Sequence, residues 1–218
     1  KETAEKLGPI DILVNNAGME YTKSFLETTE AEIDDVVRLN LTVPMQLTRL
    51  VLPGMRERGR GHILNISSMA ANGGFPGLAV YCGTKSGLSH FGRILRCDLH
   101  GTPIKVSTLE VGPVPTDLLA NLQYEPTKRS FDRLRRMQLM PNVSAEKVAQ
   151  AAADGVARDK RSIWLPRRAF LFGALATSGA TIQLFSDVPI EIVNILQGMV
   201  MIFAVARFGW IFVRRRAA

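Results

Sequence analysis

Apolar runs of strand length alternate with helix-forming segments along most of this 218-residue chain. Four runs are typical of buried parallel strands, and they lie at residues 10–15, 62–67, 104–111 and 162–165. Parallel neighbours need a long crossover connection, and helical patterns fill the intervals between these runs. The β-α-β-α order therefore predicts an α/β fold, a doubly wound parallel sheet with helices on both faces.

The helical segments have recognisable starts and apolar faces. Thr29 and Glu32 form a capping box at the start of a segment that continues to about residue 59. Residues 81–99 carry an apolar stripe at helical spacing. Ser144 is the predicted cap of an Ala-rich helix that follows it. These signals place the crossover helices between the strands.

The charge of the chain is concentrated near its carboxyl end. The net charge is +7, but nine basic and only three acidic residues lie at or after Arg158, so the preceding part is nearly neutral. These basic residues flank two uncharged apolar runs, 169–185 and 192–206, each a little shorter than the ~20 residues of a spanning helix. The pattern is typical of membrane association rather than of a phosphate-binding groove, and we expect no nucleic-acid binding.

The boundary at residue 166 separates two predicted domains. Residues 1–166 hold the alternating pattern, and residues 167–218 form a hydrophobic helical hairpin. The hairpin lies in one leaflet with its basic ends on the cytoplasmic side, or it packs on the first domain or a second copy; both readings remain open. Two cysteines are too few for a disulfide framework, which indicates a reducing compartment, either the cytoplasm or the cytoplasmic side of a membrane.

Tyr81 and Lys85 form the sharpest local motif. Residues four apart share one face of a helix, so both side chains reach the same site. A nearby cation lowers the pKa of a tyrosine toward neutral pH, and such a tyrosine suits general acid–base catalysis. Ser68 lies at the carboxyl end of a strand, and Asn40 is a polar residue within an apolar helical segment. Considered singly, Ser68 could satisfy strand-end amides, and Asn40 could cap or bridge a helix kink near Pro44.

Taken together, these motifs resemble the short-chain dehydrogenase/reductase family. The resemblance rests on NNAG at 15–18, Asn40, Ser68, Tyr81-x-x-x-Lys85 and the run Gly-Pro-Val-Pro-Thr at 112–116, and it covers about residues 1–166. It implies a Rossmann-like oxidoreductase that uses NADP or NAD and forms a homo-oligomer. There is no metal among the groups that it implies.

The resemblance also implies a role for each catalytic position. Tyr81 exchanges a proton with the substrate oxygen, and Ser68 hydrogen-bonds the same oxygen. Lys85 lowers the pKa of Tyr81 and bonds the nicotinamide ribose. Asn40 holds a water that links Lys85 to solvent.

The resemblance also implies cofactor contacts, both within NNAG and after the third predicted strand. Asn15, Ala17 and Gly18 line the cofactor near its adenosine side, where small residues permit close approach of the backbone. Val114 and Thr116 contact the nicotinamide end, together with Tyr81 and Lys85.

Residues 117–143 correspond to the mobile lid over the substrate in this family. Their apolar side chains suit a hydrophobic substrate, a lipid-like or steroid-like alcohol or ketone. The basic residues among them face solvent, lipid headgroups or an acidic substrate (Arg133, Arg135, Arg136).

Two departures from the family pattern are visible. Val111 stands where the family has Pro. Members of the family also begin with a strand and a Gly-rich turn, T-G-x-x-x-G-x-G, which receives the pyrophosphate. The nearest candidate, residues 73–77, follows the wrong strand and opens no helix, so we expect a fragment without the first strands and without the residue that selects NAD or NADP. The alternative to an oxidoreductase is a truncated, non-catalytic member that binds a membrane or a partner.

Overall fold

The computed structural model describes residues 2–116, 119, 122–136 and 140–166. Its centre is a parallel sheet of four strands: β1 (Ile12–Asn15), β2 (Gly61–Ser68), β3 (Ile104–Val111) and β4 (Ser162–Leu165). Each strand pairs with the one that precedes it in the sequence, so the order across the sheet is β1-β2-β3-β4. The parallel α/β architecture expected from the sequence is confirmed, and every predicted strand lies within two residues of its expected ends.

Helices connect the strands, as parallel pairing requires. They are α1 (Glu2–Leu7), α2 (Glu30–Val37), α3 (Val43–Glu57), α4 (Ala79–Asp98), α5 (Glu125–Arg136) and α6 (Ala145–Ala157). Short 3-10 turns lie at Phe25–Glu27 and Met69–Ala71, and a π-helical stretch, Arg38–Thr42, joins α2 to α3.

The two faces of the sheet carry different helices. Ile63 and Val106 lie on one face, where Met55 of α3 and Leu95 of α4 pack against them. Leu64 and Leu109 lie on the other face, under the apolar side of α6. Alternate residues of a strand point to opposite faces, so β2 and β3 are buried on both sides and read as nearly continuous apolar sequence.

The predicted helix starts are confirmed. The Thr29 hydroxyl accepts from the Glu32 amide while the Glu32 carboxylate accepts from the Thr29 amide, and the Ser144 hydroxyl accepts from the Lys147 amide. Pro44 lies in the first turn of α3, four residues after Asn40. Because proline has no N–H, the carbonyl of Asn40 lacks an α-helical donor at this position, and the backbone widens there into the π-helical stretch.

Helix α5 was not predicted, although the sequence carries a signal for it. Glu125 and Pro126 open the helix, where an acidic residue and a proline both suit the first turn. Phe131 and Leu134 lie on one face and pack against a cluster that contains Phe75. The density of basic residues obscured this amphipathic pattern.

The predicted hairpin at 167–218 lies outside the described residues. In the part of the chain that the structure describes, no helix has the length and apolar content needed to cross a bilayer. The hairpin and the domain boundary at residue 166 stay predictions.

Candidate active site

A cavity of about 570 Å³ opens at the carboxyl ends of β2 and β3. This is the edge where doubly wound sheets bind their ligands. Gly18, Lys85 and Thr116 are among its lining residues, and so are apolar side chains from the 3-10 turn at Met69–Ala71 and from α5. A cavity of this size accommodates a small organic molecule.

Tyr81, Lys85 and Ser68 all line this cavity, as the sequence predicted. Tyr81 and Lys85 lie one turn apart on α4, and the Lys85 Nζ is 5.7 Å from the centre of the Tyr81 ring. The Lys85 Nζ donates to the Ile66 carbonyl at 3.0 Å, which fixes the buried ammonium against β2. Ser68 ends β2 and hydrogen-bonds to Tyr81. Its hydroxyl also accepts from the Ala70 amide at 3.1 Å. Ser68 therefore satisfies an amide after the end of the strand and also lines the cavity.

The pKa of Tyr81 departs from its ordinary value in the direction opposite to the one predicted. Burial raises the pKa of Tyr81 to about 12, although the hydrogen bond from Ser68 lowers it, and the negative charge of Glu20 raises it further. Burial also lowers the pKa of Lys85 to about 8, against the opposing effect of Glu110. The prediction of a lowered tyrosine pKa was therefore wrong for this structure, because desolvation of the buried hydroxyl is the largest effect on its pKa.

Asn40 lies in the π-helical stretch and is fully buried. Its Oδ1 accepts from the Met19 amide at 2.9 Å. Its Nδ2 donates to the Met19 carbonyl at 2.8 Å and to the Thr84 hydroxyl at 3.2 Å, so both amide protons are used. The side chain thus ties the loop after β1 to α4, and none of these bonds spans the helix near Pro44. A water relay through Asn40 stays a prediction.

The NNAG segment at 15–18 divides into two parts. Gly18 lines the cavity, and a Cβ built on it would lie 3.3 Å from both Asn40 Oδ1 and Lys85 Nζ. Asn15 instead points into the sheet and donates to Asn65 Oδ1 at 2.8 Å. Neither Asn15 nor Ala17 is among the described lining residues, whereas Asn16 is. A cofactor-binding role for Asn15 and Ala17 stays a prediction.

Val114 and Thr116 both line the cavity, beyond the end of β3. The departure at Val111 has a local explanation, because Val111 extends β3 and pairs with Ser68 and Leu165 on the two neighbouring strands. The next residue, Gly112, donates to the Leu165 carbonyl at 2.7 Å.

Two acidic residues near the site were missed. Glu20 lines the cavity, and burial raises the pKa of its carboxyl. Glu110 is 4% exposed and belongs to a polar cluster with Ser67 and Ser89 under Lys85. A charged residue inside the strand VSTLEV was the available signal for Glu110, and the position of Glu20 two residues after NNAG was the signal for Glu20.

Comparison with known proteins shows the family. Residues 1–127, more than half of the chain, match the family described as short chain dehydrogenase. The protein is a member of this family. Among solved structures, a short-chain dehydrogenase from Streptomyces avermitilis is 29% identical with a TM-score of 0.69, and the match covers 84% of this chain and 71% of that one.

This short-chain dehydrogenase is also similar to curated proteins. Ketoacyl reductase HetN of Nostoc sp. is 40% identical over 114 residues, which is 52% of this chain and 40% of HetN. The NADP-dependent 3-hydroxy acid dehydrogenase YdfG of Escherichia coli is 40% identical over 121 residues, which is 53% of this chain and 47% of YdfG. The chain thus spans about half the length of the curated relatives it matches.

Proposed function

We propose that the protein is an NAD(P)-dependent oxidoreductase that interconverts a hydrophobic alcohol and its ketone. The observation that carries the proposal is the convergence of Tyr81, Ser68 and Lys85 on one cavity at the carboxyl edge of the sheet. The relatives named above support the oxidoreductase class, and the name of YdfG supports NADP as the cofactor.

The cavity fits the nicotinamide end of such a cofactor. Gly18 presents bare backbone between Asn40 and Lys85, a space that a side chain would narrow. Gly18, Lys85, Val114 and Thr116 would hold the cofactor, which supplies hydride transfer when it is bound. Asn15 and Ala17 would contribute through their backbone on the adenosine side.

Tyr81 is the proposed acid in the reducing direction. A substrate oxygen between Ser68 and Tyr81 accepts a hydrogen bond from the Ser68 hydroxyl and a proton from the Tyr81 hydroxyl. Because the pKa of Tyr81 is about 12, the hydroxyl keeps its proton at neutral pH until the substrate takes it. The Lys85 ammonium then stabilises the tyrosinate. Alcohol oxidation runs through the same groups in reverse.

The lining of the cavity supports a hydrophobic substrate. Phe75 and Phe131 stack with their ring centres 4.9 Å apart, and both line the cavity with Leu78 and Met140. The names of the two relatives indicate different substrates, a ketoacyl group and a 3-hydroxy acid, so the apolar lining carries this part of the proposal. We therefore propose a lipid-like or steroid-like carbonyl as the substrate.

Two further associations are proposed. Exposed apolar side chains on α3 and α4 support a homo-oligomer, since Leu47, Leu50 and Ile94 are 40%, 73% and 47% exposed. Association with the cytoplasmic side of a membrane is proposed from the apolar runs within residues 167–218.

The test compares the wild type with Tyr81→Phe. We expect nucleotide fluorescence to report binding of NADPH or NADH to both proteins and turnover of a long-chain ketone by the wild type only. Turnover by Tyr81→Phe would contradict the role of Tyr81. Faster turnover of short polar ketones than of long-chain ones would contradict the substrate class, and absence of nucleotide binding would contradict the proposed function for this chain.

A further inference from the structure

A buried polar chain connects Glu110 to the backbone of Lys85. The Ser89 hydroxyl lies 2.7 Å from Glu110 Oε1, the two serine hydroxyls of Ser67 and Ser89 are 2.6 Å apart, and the Ser67 hydroxyl lies 3.1 Å from the Lys85 carbonyl oxygen. Ser67, Ser89 and Glu110 are each at most 4% exposed. None of the three is among the catalytic or cofactor-binding residues predicted from the sequence.

All three contacts can be hydrogen bonds at the same time only if the carboxyl of Glu110 takes part as a donor. Three contacts join the four groups, and each contact needs one hydrogen between its two oxygens. A hydroxyl supplies one hydrogen, so Ser67 and Ser89 supply two, and a carbonyl supplies none. The third hydrogen has to come from a protonated Glu110. The chain then runs from the Glu110 hydroxyl through Ser89 and Ser67 to the Lys85 carbonyl.

The surroundings of the carboxyl favour the same neutral state. Glu110 Oε2 has no hydrogen-bond partner among the residues that the structure describes. An ionised carboxylate buried with one oxygen unsatisfied is costly, whereas a neutral acid tolerates it better. Burial accordingly raises the pKa of Glu110 to about 7, although the hydroxyls of Ser89 and Ser67 oppose the rise. Both protonation states are therefore accessible near neutral pH.

Among the described residues, the charged groups that act on Glu110 lie on α4. Arg93 and Lys85 lower the pKa of the carboxyl through their positive charges. Ser67 on β2 and Trp164 on β4 are its register neighbours in the sheet, and neither carries a charge. The influence is mutual, because the negative charge of Glu110 raises the pKa of Lys85.

We propose that Glu110 is a positioning residue that sets the charge and surroundings of Lys85 through this chain. In its neutral form Glu110 donates to Ser89, and the Ser67 hydroxyl holds the Lys85 carbonyl. When Glu110 is ionised, the hydroxyls of Ser89 and Ser67 both turn toward its carboxylate. The Lys85 carbonyl then loses the hydrogen bond from Ser67. At the same time, the negative charge of Glu110 stabilises the Lys85 ammonium. The consequence for catalysis rests on the proposed function, whereas the two protonation states do not.

The first experiment observes the carboxyl directly by infrared spectroscopy of the whole chain across a pH titration. An exposed glutamate titrates near pH 4.3, so Glu110 should give a separate carboxylic acid band that disappears near neutral pH. This band should be absent in Glu110→Gln, in which the amide replaces the acid as a donor to Ser89. It should persist in Glu57→Gln, the matched control, because Glu57 is exposed at the end of α3.

Ser89→Ala tests the chain itself. Since the Ser89 hydroxyl lowers the pKa of Glu110, its removal should move the midpoint of the infrared band to higher pH. The proposal is overturned if every carboxyl of the wild type titrates near pH 4, if Glu110→Gln leaves the amplitude of the neutral-pH band unchanged, or if Ser89→Ala leaves the midpoint unchanged.

The second experiment measures the consequence at Lys85. Titration of isotopically labelled lysines by NMR, with Lys85→Met used to assign the signal, should show a lower pKa for Lys85 in Glu110→Gln than in the wild type. An unchanged pKa would overturn the coupling. Both measurements need no turnover, so they are independent of the proposed function. Where the whole enzyme turns over substrate, the pH profile of kcat/KM should shift in Glu110→Gln, and an unshifted profile would refute the positioning role.

Discussion

Replacing Lys85 with Met should stabilise the protein at neutral pH while removing its proposed activity. Burial lowers the pKa of Lys85 from 10.5 to about 8. This lowering of the pKa corresponds to about 3 kcal/mol by which folding is disfavoured when the lysine is charged. The charged hydrogen bond to the Ile66 carbonyl, which Met cannot make, offsets roughly 1.5 kcal/mol of this gain. The expected net stabilisation is about 1–2 kcal/mol.

The difference in the free energy of unfolding between Lys85→Met and the wild type should depend on pH. Below pH 8 both the folded and the unfolded chain hold the Lys85 proton, so the full penalty applies in the wild type. Between pH 8 and 10.5 only the unfolded chain holds it, and the free energy of unfolding of the wild type rises with pH through this component. Lys85→Met lacks the component. The advantage of the variant should therefore be greatest at neutral pH and shrink toward pH 10.5.

Urea unfolding followed by circular dichroism at pH 7 and pH 10 measures both effects. Arg49→Met provides a control, since Arg49 is an exposed cation on α3 whose removal should change stability little at either pH. If Lys85→Met is less stable than the wild type at pH 7, or if the difference is the same at both pH values, the assignment of a desolvated ammonium to Lys85 is refuted.

Three further predictions concern single side chains. Glu20→Gln should lower the pKa of Tyr81, because the negative charge of Glu20 raises it, and ultraviolet titration of tyrosinate would detect the shift; an unchanged midpoint would contradict the contact. Gly92→Ala should destabilise the protein by about 1–3 kcal/mol, because its Cβ would lie 2.6 Å from Thr108 Oγ1, and thermal unfolding would show whether the helix can move away from the sheet. Burial lowers the pKa of His62, so the unfolded chain binds a proton before the folded chain does as the pH falls through 6.5. The free energy of unfolding of the wild type should therefore decrease below this pH, and it should decrease less in His62→Gln.

Local rules were sufficient to predict most elements of the fold. The hydroxyl of Thr29, the carboxylate of Glu32 and the hydroxyl of Ser144 cap their helices as expected, because capping depends on residues three positions apart. The positions of the strands could likewise be predicted from apolar runs, because such a run is a local feature of the sequence. Helix α5 was missed because its apolar face consists of a few residues among many charges, and only contact with the cluster around Phe75 shows that this face is buried.

In the candidate site, too, some features follow from local spacing and others depend on tertiary contacts. The spacing of Tyr81 and Lys85 put both side chains on one face of α4, and the structure confirms that they share a cavity. That Gly18 lies beside Lys85 and Asn40, while Asn15 turns into the sheet, depends on the tertiary contacts that hold the loop after β1 against Asn40.

The sequence by itself determined the family, the strand and helix pattern and the identity of the proposed catalytic residues, since these follow from motifs and short-range spacing. The tertiary structure alone decided the protonation properties of the site. Burial raised the pKa of Tyr81, whereas the sequence predicted that it would be lowered. The packing of β2, β3 and α4 brought Glu110 into contact with Ser89, and Ser67 extends this contact to the Lys85 carbonyl. Desolvation and contacts between distant segments exist only when the chain is folded, so no local pattern could have specified them.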